Sequence, residues 1–317
     1  MRLLNPYSVG LLSGIAAGLM VLAGLKAGSA SLVLLFAAPA AVYVASLGWG
    51  TVAGIIAALI ASAIAFYDGG FQGAIFAATL LFAPAAWAGH LTNLGQPDAS
   101  GQGMIWYPLP DILIRLMLAI FAGFVITATA FGYNSEAIAK GLVDVFGEFF
   151  DQSPELQKPA PERMAEIAGL YASLLPLVLP ALWLLLHVLV FYLSAVVTRL
   201  SGQMARAIWD VPAEAGLPRF ALALPAAGMA AMLTGASPVY EIGAVAMGIA
   251  IAGFGLVGLA ELHLSARNRP GRGFIIFVVW LLIFLFSLPI IIFAVTGAFR
   301  VWRLGSNTPP AGGANQT

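Results

Sequence analysis

Residues 134–166, NSEAIAKGLVDVFGEFFDQSPELQKPAPERMAE, decide how the rest of the chain is read. They hold seven of its 14 acidic residues (Glu136, Asp144, Glu148, Asp151, Glu155, Glu162 and Glu166), set against Lys140, Lys158 and Arg163. On either side, roughly over residues 8–131 and 167–298, charge is almost absent. A chain that segregates charge in this way is solvated by two media. The whole composition agrees: 61% of residues are hydrophobic, 9% are charged, and the mean hydropathy is +0.96. A soluble domain carries about 25% charged residues, so the sequence is that of an integral membrane protein. Its formal net charge is zero and no basic tract is long enough to suggest nucleic acid. It has no cysteine, which excludes disulfides, thiolate metal sites and cysteine nucleophiles together.

A spanning helix needs about 20 mainly apolar residues. Nine stretches meet or approach that length: 8–25, 30–47, 50–67, 72–91, 111–131, 167–198, 220–235, 239–262 and 273–299. The expected fold is an all-α polytopic bundle of about nine transmembrane helices. It divides into an N-terminal membrane block (1–133, about five helices), the acidic insert (134–166), a C-terminal membrane block (167–305, about four helices) and a disordered tail (306–317). The first apolar run has no small-residue cleavage site followed by a polar domain, and reads as a retained helix. Gly48-Trp49-Gly50 makes a tight turn between the second and third spans. Trp106 and Tyr107 suit a headgroup belt, and Asp111 and Arg115 fall on one helical face as an ion pair.

In the insert, Glu136, Lys140, Asp144 and Glu148 recur every four residues, opposite Ile138, Leu142, Val145, Phe146 and Phe149. This is an amphipathic helix, lying along an interface or packed on the protein's own spans. Pro154, Pro159 and Pro161 then interrupt the chain, and Pro161 suits the first position of the next helix. The uncharged run 167–198 would measure about 48 Å as straight helix, so either Pro176 and Pro180 kink it or it begins outside the hydrocarbon.

Arginines in short loops set orientation. Arg2, the group Arg199, Arg206 and Arg219, and the group Arg267, Arg269 and Arg272 all fall on one side if the N-terminus is cytoplasmic. The acidic insert is then periplasmic, in a bacterial inner membrane. An odd span count conflicts with this, because it puts Arg300 and Arg303 outside.

Several constellations carry chemistry. Gly10, Gly14 and Gly18 form a flat stripe for close helix packing, within the chain or with a partner subunit. His187 lies deep in the sixth span, with Trp183 one turn before it and Phe191 one turn after. Buried ionisable groups in membranes are functional candidates by default. The alternatives are a neutral histidine bonded to a neighbouring helix and a ligand-binding or proton-relay residue. Glu241 opens the eighth span, either complementing the helix dipole or meeting a ligand or cation in an outer vestibule. Trp183, His187, Tyr192 and Glu241 are the candidate pocket residues. Glu261 and His263 suit local ion pairing with the following arginines, and His90 and Asn93 suit the membrane interface. Gly253-Phe-Gly255-Leu-Val-Gly258 matches a dinucleotide fingerprint by letter. Inside an apolar span its amides are already engaged, so it reads as a packing face. There is no HExxH, GxSxG or GxxxxGK sequence. No catalytic residue, metal site or cofactor is expected. An enzyme would need two or more of His187, Glu241, Asp68 and Asp111 to converge.

Four stretches carry a family resemblance: GLLSGIAAGLMVLAGLKAGSASLVLLFAAPAAVYVASLGWGTVAG, YASLLPLVLPALWLLLHVLVFYLSAVVTRLSG, WDVPAEAGLPRFAL and GLAELHLSARNRPGRGFIIFVVWLLIFLFSLPIIIFAVTGAF. Over about residues 8–300 the chain resembles the YybS-like membrane proteins, a family of unknown function. Members often carry an acidic residue after the last span, where this chain has Gly297-Ala-Phe-Arg300. The family is in turn similar to the substrate-binding membrane subunits of energy-coupling-factor vitamin transporters, which dock on a membrane partner through small residues of the first helix. The resemblance implies a transport-related, small-molecule-binding component in the lipid bilayer, with a membrane partner subunit or separate ATPase subunits. A non-catalytic scaffold is the alternative reading, and an intramembrane enzyme acting on lipid-linked substrate a third.

Overall fold

The structure is a computed structural model that describes residues 5–26, 32–99, 103–153, 155–286 and 289–306. It is helical almost throughout. Among the described residues are two strands, β1 (Gly95–Pro97) and β2 (Met104–Trp106), which pair antiparallel with Gly95 opposite Trp106. Six helices among the described residues are long and apolar enough to cross a membrane.

The first two are α1 (Pro6–Lys26) and α2 (Leu32–Trp49). The third, 42 residues over Thr51–Thr92, comprises α3 (Thr51–Phe76), a π-helical segment (Ala77–Phe82) and α4 (Ala83–Thr92). It is a hairpin. Gly70 has φ +60° and ψ −153°, outside helical space and open only to glycine at low cost. Beyond it the chain folds back, so Thr51 Oγ1 and His90 Nδ1, at opposite ends of the sequence segment, lie 2.7 Å apart. The expected third and fourth spans, 50–67 and 72–91, are these two limbs.

α5 (Leu109–Phe131) begins behind Pro108, and Arg115 Nη1 lies 3.3 Å from Asp111 Oδ1 across one turn. In the acidic insert Asn134 caps α6 (Ser135–Gln152), its side chain accepting from the Ala137 N–H. α6 leans on the first turns of α7 (Pro161–Leu200), where Phe146 meets Tyr171 edge-on with ring centroids 5.8 Å apart. None of α6 is fully buried; Val145 and Phe149 stay exposed. Pro161 starts α7, and Pro154 lies outside the described residues. α7 runs unbroken through 40 residues with Pro176 and Pro180 inside it. At about 60 Å it is about twice as long as a hydrocarbon core is thick, and its early turns carry α6.

α10 (Val239–Ser265) is the central post. Of its most apolar stretch 78% is buried, against 50% or less in the other five long helices. Its glycines let each neighbour approach. A Cβ at Gly243 would meet the Gly228 carbonyl of α9 (Ala223–Met232), one at Gly248 the Leu177 carbonyl of α7, and one at Gly253 the side chain of Met117 of α5. Gly255 faces Ile290 and Gly258 faces Phe293 and Thr296, all on α12 (Pro289–Ser306). The dinucleotide-like letters are therefore packed from several sides. Between α7 and α9 the loop carries a one-turn α8 (Val211–Glu214) and a 3₁₀ turn (Arg219–Leu222). Arg206 pins that loop: it donates to the Tyr107 carbonyl at 2.7 Å and stacks over Trp209 at 4.6 Å.

The expected ninth span, 273–299, is two helices: α11 (Arg272–Phe286) and α12. Pro289, which lacks an N–H and clashes with a preceding turn, starts the second. Moving from Gly255 to Gly258 along α10 moves the contact from Ile290 to Phe293 and Thr296, so α10 and α12 run in the same direction. Arg300 and Arg303 thus lie toward the end of the bundle that carries Arg267. Residues 307–317, most of the expected disordered tail, are outside the described residues.

Candidate functional site

Pro84 shapes the centre of the bundle. A proline has no N–H to give the carbonyl four residues before it, which is that of Leu80. The helix relaxes to π form over Ala77–Phe82, where the Ala83 N–H bonds the Ala78 carbonyl. The Leu80 oxygen takes two donors from α7 instead. Trp183 Nε1–H donates at 2.8 Å, and His187 Nε2 lies 2.7 Å away. A carbonyl only accepts, so Nε2 carries the proton. Nδ1 then accepts from the Tyr43 hydroxyl of α2 at 3.0 Å. Tyr43 is wholly buried and His187 is 3% exposed. A neutral ring satisfies every polar atom in this set, which a buried charge would not. Pro176 repeats the device: it frees the Ala172 carbonyl, to which Tyr133 Oη donates at 3.4 Å.

The four expected pocket residues do not converge. Trp183 and His187 are joined through Leu80, and Trp183 is ringed by Phe36, Phe76 and Phe124 with edge-on geometry. The gap beside them measures about 10 Å³, one water's worth of room at most. Tyr192 is on a different face of α7 from 183, 187 and 191, and is 37% exposed. Glu241 belongs to the other end of the bundle. Its charge helps to raise the Tyr133 phenol, after burial as the main cause, and Tyr133 meets α7 at Ala172. His187 is fifteen residues further along α7, about 22 Å of helix. Glu241 Oε2 is buried there with no hydrogen-bond partner among the described residues. Asp68 pairs with Lys26 and Asp111 with Arg115 at opposite ends of the bundle, so neither carboxylate joins His187.

Gly10, Gly14 and Gly18 are covered by α3 of the same chain. A Cβ at Gly14 would stand 2.7 Å from Ile60 Cβ and 2.8 Å from the Ala57 carbonyl, and Gly10 and Gly18 meet Ile56 and Ile64 in the same way. No second helix fits on that stripe while α3 is there.

A cavity of useful size lies on the other side of the π segment. Three stripes of one helical period each face it: Thr51, Ile55 and Leu59 on α3; Thr79, Ala83 and Trp87, ending at His90, on the return limb; and Ala119, Ala122 and Ile126 on α5. The small residues at 83, 86, 119, 122 and 123 recess its floor, leaving a lateral groove of about 600 Å³ that is almost wholly apolar. Its polar groups sit at the two ends. Thr51 and His90 close one end, with Trp87 against the His90 ring at 5.7 Å. At the other, Thr79 Oγ1 donates to the Ile75 carbonyl and so accepts from Thr127 Oγ1 at 3.0 Å. Sequence reading placed His90 at an interface but did not find the groove. The available signal was the alanine spacing on two helices that only the fold brings side by side. Comparison with known protein families, with curated proteins and with solved structures finds no match for this chain.

Proposed function

We propose that this chain is a non-catalytic membrane protein that binds a small, largely apolar molecule between its spans, as a transport-related component. The groove of about 600 Å³ supports this reading most directly, since small-molecule sites run about 300–1,000 Å³. The filled surroundings of His187 argue for a structural histidine, and the separation of the candidate acids and bases argues against a catalytic centre there. The arginine distribution favours a bacterial inner membrane with the N-terminus and the His90 end cytoplasmic and α6 periplasmic. About nine membrane segments follow, the last folded back as α11 and α12. Parallel packing of α10 and α12 supports this orientation, since it puts Arg300 and Arg303 toward the end that carries Arg267. The YybS-like resemblance is compatible with this role. Coupling to separate ATPase subunits would use a surface other than the Gly10–Gly14–Gly18 stripe.

A photoreactive residue in place of Ala122, activated in native membranes, tests the reading. It should capture a small molecule that the same residue in place of exposed Leu189, in the apolar stretch of α7, does not. Equal capture at both positions would reduce the groove to ordinary lipid contact. A scaffold reading draws on the exposed apolar residues Val145 and Phe149 of α6; it predicts capture of protein from α6 and nothing specific from Ala122.

A further inference from the structure

We propose that the groove's ligand is an anionic phospholipid of the leaflet on the His90 side, with one acyl chain along α4 and its head held by Arg115 and His90. This rests on the groove being the binding site. Its length sets the class of ligand. From His90 to Thr79 is eleven residues, about 16 Å of helix, and half of a hydrocarbon core of about 30 Å is 15 Å. The groove is therefore one leaflet deep, and a transmembrane helix of a partner would need twice that.

Its polarity sets the direction of the ligand. At the deep end the Thr79–Thr127 pair is internally satisfied and offers no free proton. At the shallow end His90 uses Nδ1 on Thr51, and its Nε2 has no partner among the described residues. The α5 stripe of Ala119, Ala122 and Ile126 extends one turn outward to Arg115. Arg115 is partly exposed and lies over the Tyr107 ring at 5.1 Å. Among the described residues only Nη1 is engaged, by the Asp111 carbonyl and carboxylate, so the rest of the guanidinium fork is open to a further acceptor. Asp111 neutralises part of that charge but sits a further turn away from the groove. A headgroup phosphate at this mouth would meet a guanidinium edge and an imidazole nitrogen above an apolar channel, and guanidinium forks suit phosphate geometry.

The test uses the full chain in phosphatidylcholine nanodiscs, with trace phosphatidylglycerol or phosphatidylcholine carrying the same photoreactive acyl chain. Cross-links are mapped to peptides. Phosphatidylglycerol should label the α4 and α5 peptides about fivefold more than phosphatidylcholine, the preference that one basic side chain near a membrane surface confers. Arg115→Gln should bring the two to parity, Arg115→Lys should keep part of the preference, and Ala122→Phe should abolish groove labelling by both. Equal labelling by both lipids that Ala122→Phe still removes would overturn the headgroup assignment and leave the groove as a site. Labelling that ignores Ala122→Phe is annular lipid only, and would overturn both. A photoreactive fatty acid that outcompetes phosphatidylglycerol would overturn the phospholipid assignment.

Discussion

His187 Nε2 lies 2.7 Å from the Leu80 carbonyl, four residues before Pro84, which has no N–H to give it. Proline, π segment and histidine thus form one unit. Interhelical hydrogen bonds in membranes contribute about 0.6–2 kcal/mol. His187→Ala should cost more than that, because it also strips the buried Tyr43 hydroxyl of its acceptor and opens a cavity. Thermal unfolding in detergent should show His187→Ala well below wild type and Tyr43→Phe between the two. Wild-type stability in His187→Ala would contradict the structural role. A ligand-binding or proton-relay histidine would instead lose function with stability intact.

Gly14→Leu should prevent α1 from seating on α3, since even a Cβ there has no room. Gly69→Ala is the matched control, because a Cβ at Gly69 meets nothing within 4 Å. The expected outcome is loss of monodisperse protein for the first and near-wild-type yield for the second, read by size-exclusion chromatography. Similar yields would mean that α1 is not packed as described.

Helix positions were legible in the sequence because the 3.6-residue apolar pattern and the glycine and proline breaks are local. The expected spans 8–25 and 111–131 lie within α1 and α5, and the Asp111–Arg115 pair forms as i,i+4 spacing dictates. The shared face of Trp183, His187 and Phe191 was also readable. What that face meets was not: the freed carbonyl is contributed from 103 residues away in the sequence. Tyr192 stands off the stripe that holds Phe191, because one residue turns a helix by about 100°. Glu241 opens its span as expected, but its distance from His187 was not readable, because helix direction, and hence depth, is set by packing partners. The expected span 273–299 read as one apolar run, and covers both α11 and α12.

The direction of α12 makes a topological prediction. The chain has no native cysteine, so single cysteines report cleanly. Ser265→Cys at the end of α10 and Trp302→Cys near the end of α12 should react with a membrane-impermeant maleimide from the same side. Ser153→Cys, after α6, should react from the other. Labelling of positions 265 and 302 from opposite sides would contradict the parallel packing.

Asp210 ties the loop after α7 to Arg267, with a 2.9 Å contact on one oxygen and 2.5 Å on the other. The Arg267 hydrogen bond holds the Asp210 carboxyl below its ordinary value of 3.8. A carboxyl with a depressed value stabilises the fold fully above its unfolded value and loses that contribution as pH falls through the folded one. The tie should therefore hold across neutral and mildly acidic pH and loosen only below 3.8. Hydrogen exchange of residues 201–218 should be flat from pH 7 to about 5 once the intrinsic rate is corrected, and Asp210→Asn should raise it throughout. A transition near neutrality would point to a different group.

The central claim is that the lateral groove holds a small molecule, and native mass spectrometry of the protein released from mild detergent tests it most directly. Wild-type protein should carry a discrete bound mass of lipid size. Ala122→Phe, which fills the floor of the groove, should lose that mass while remaining folded and monodisperse. The same bound mass at the same occupancy in both proteins would contradict the account.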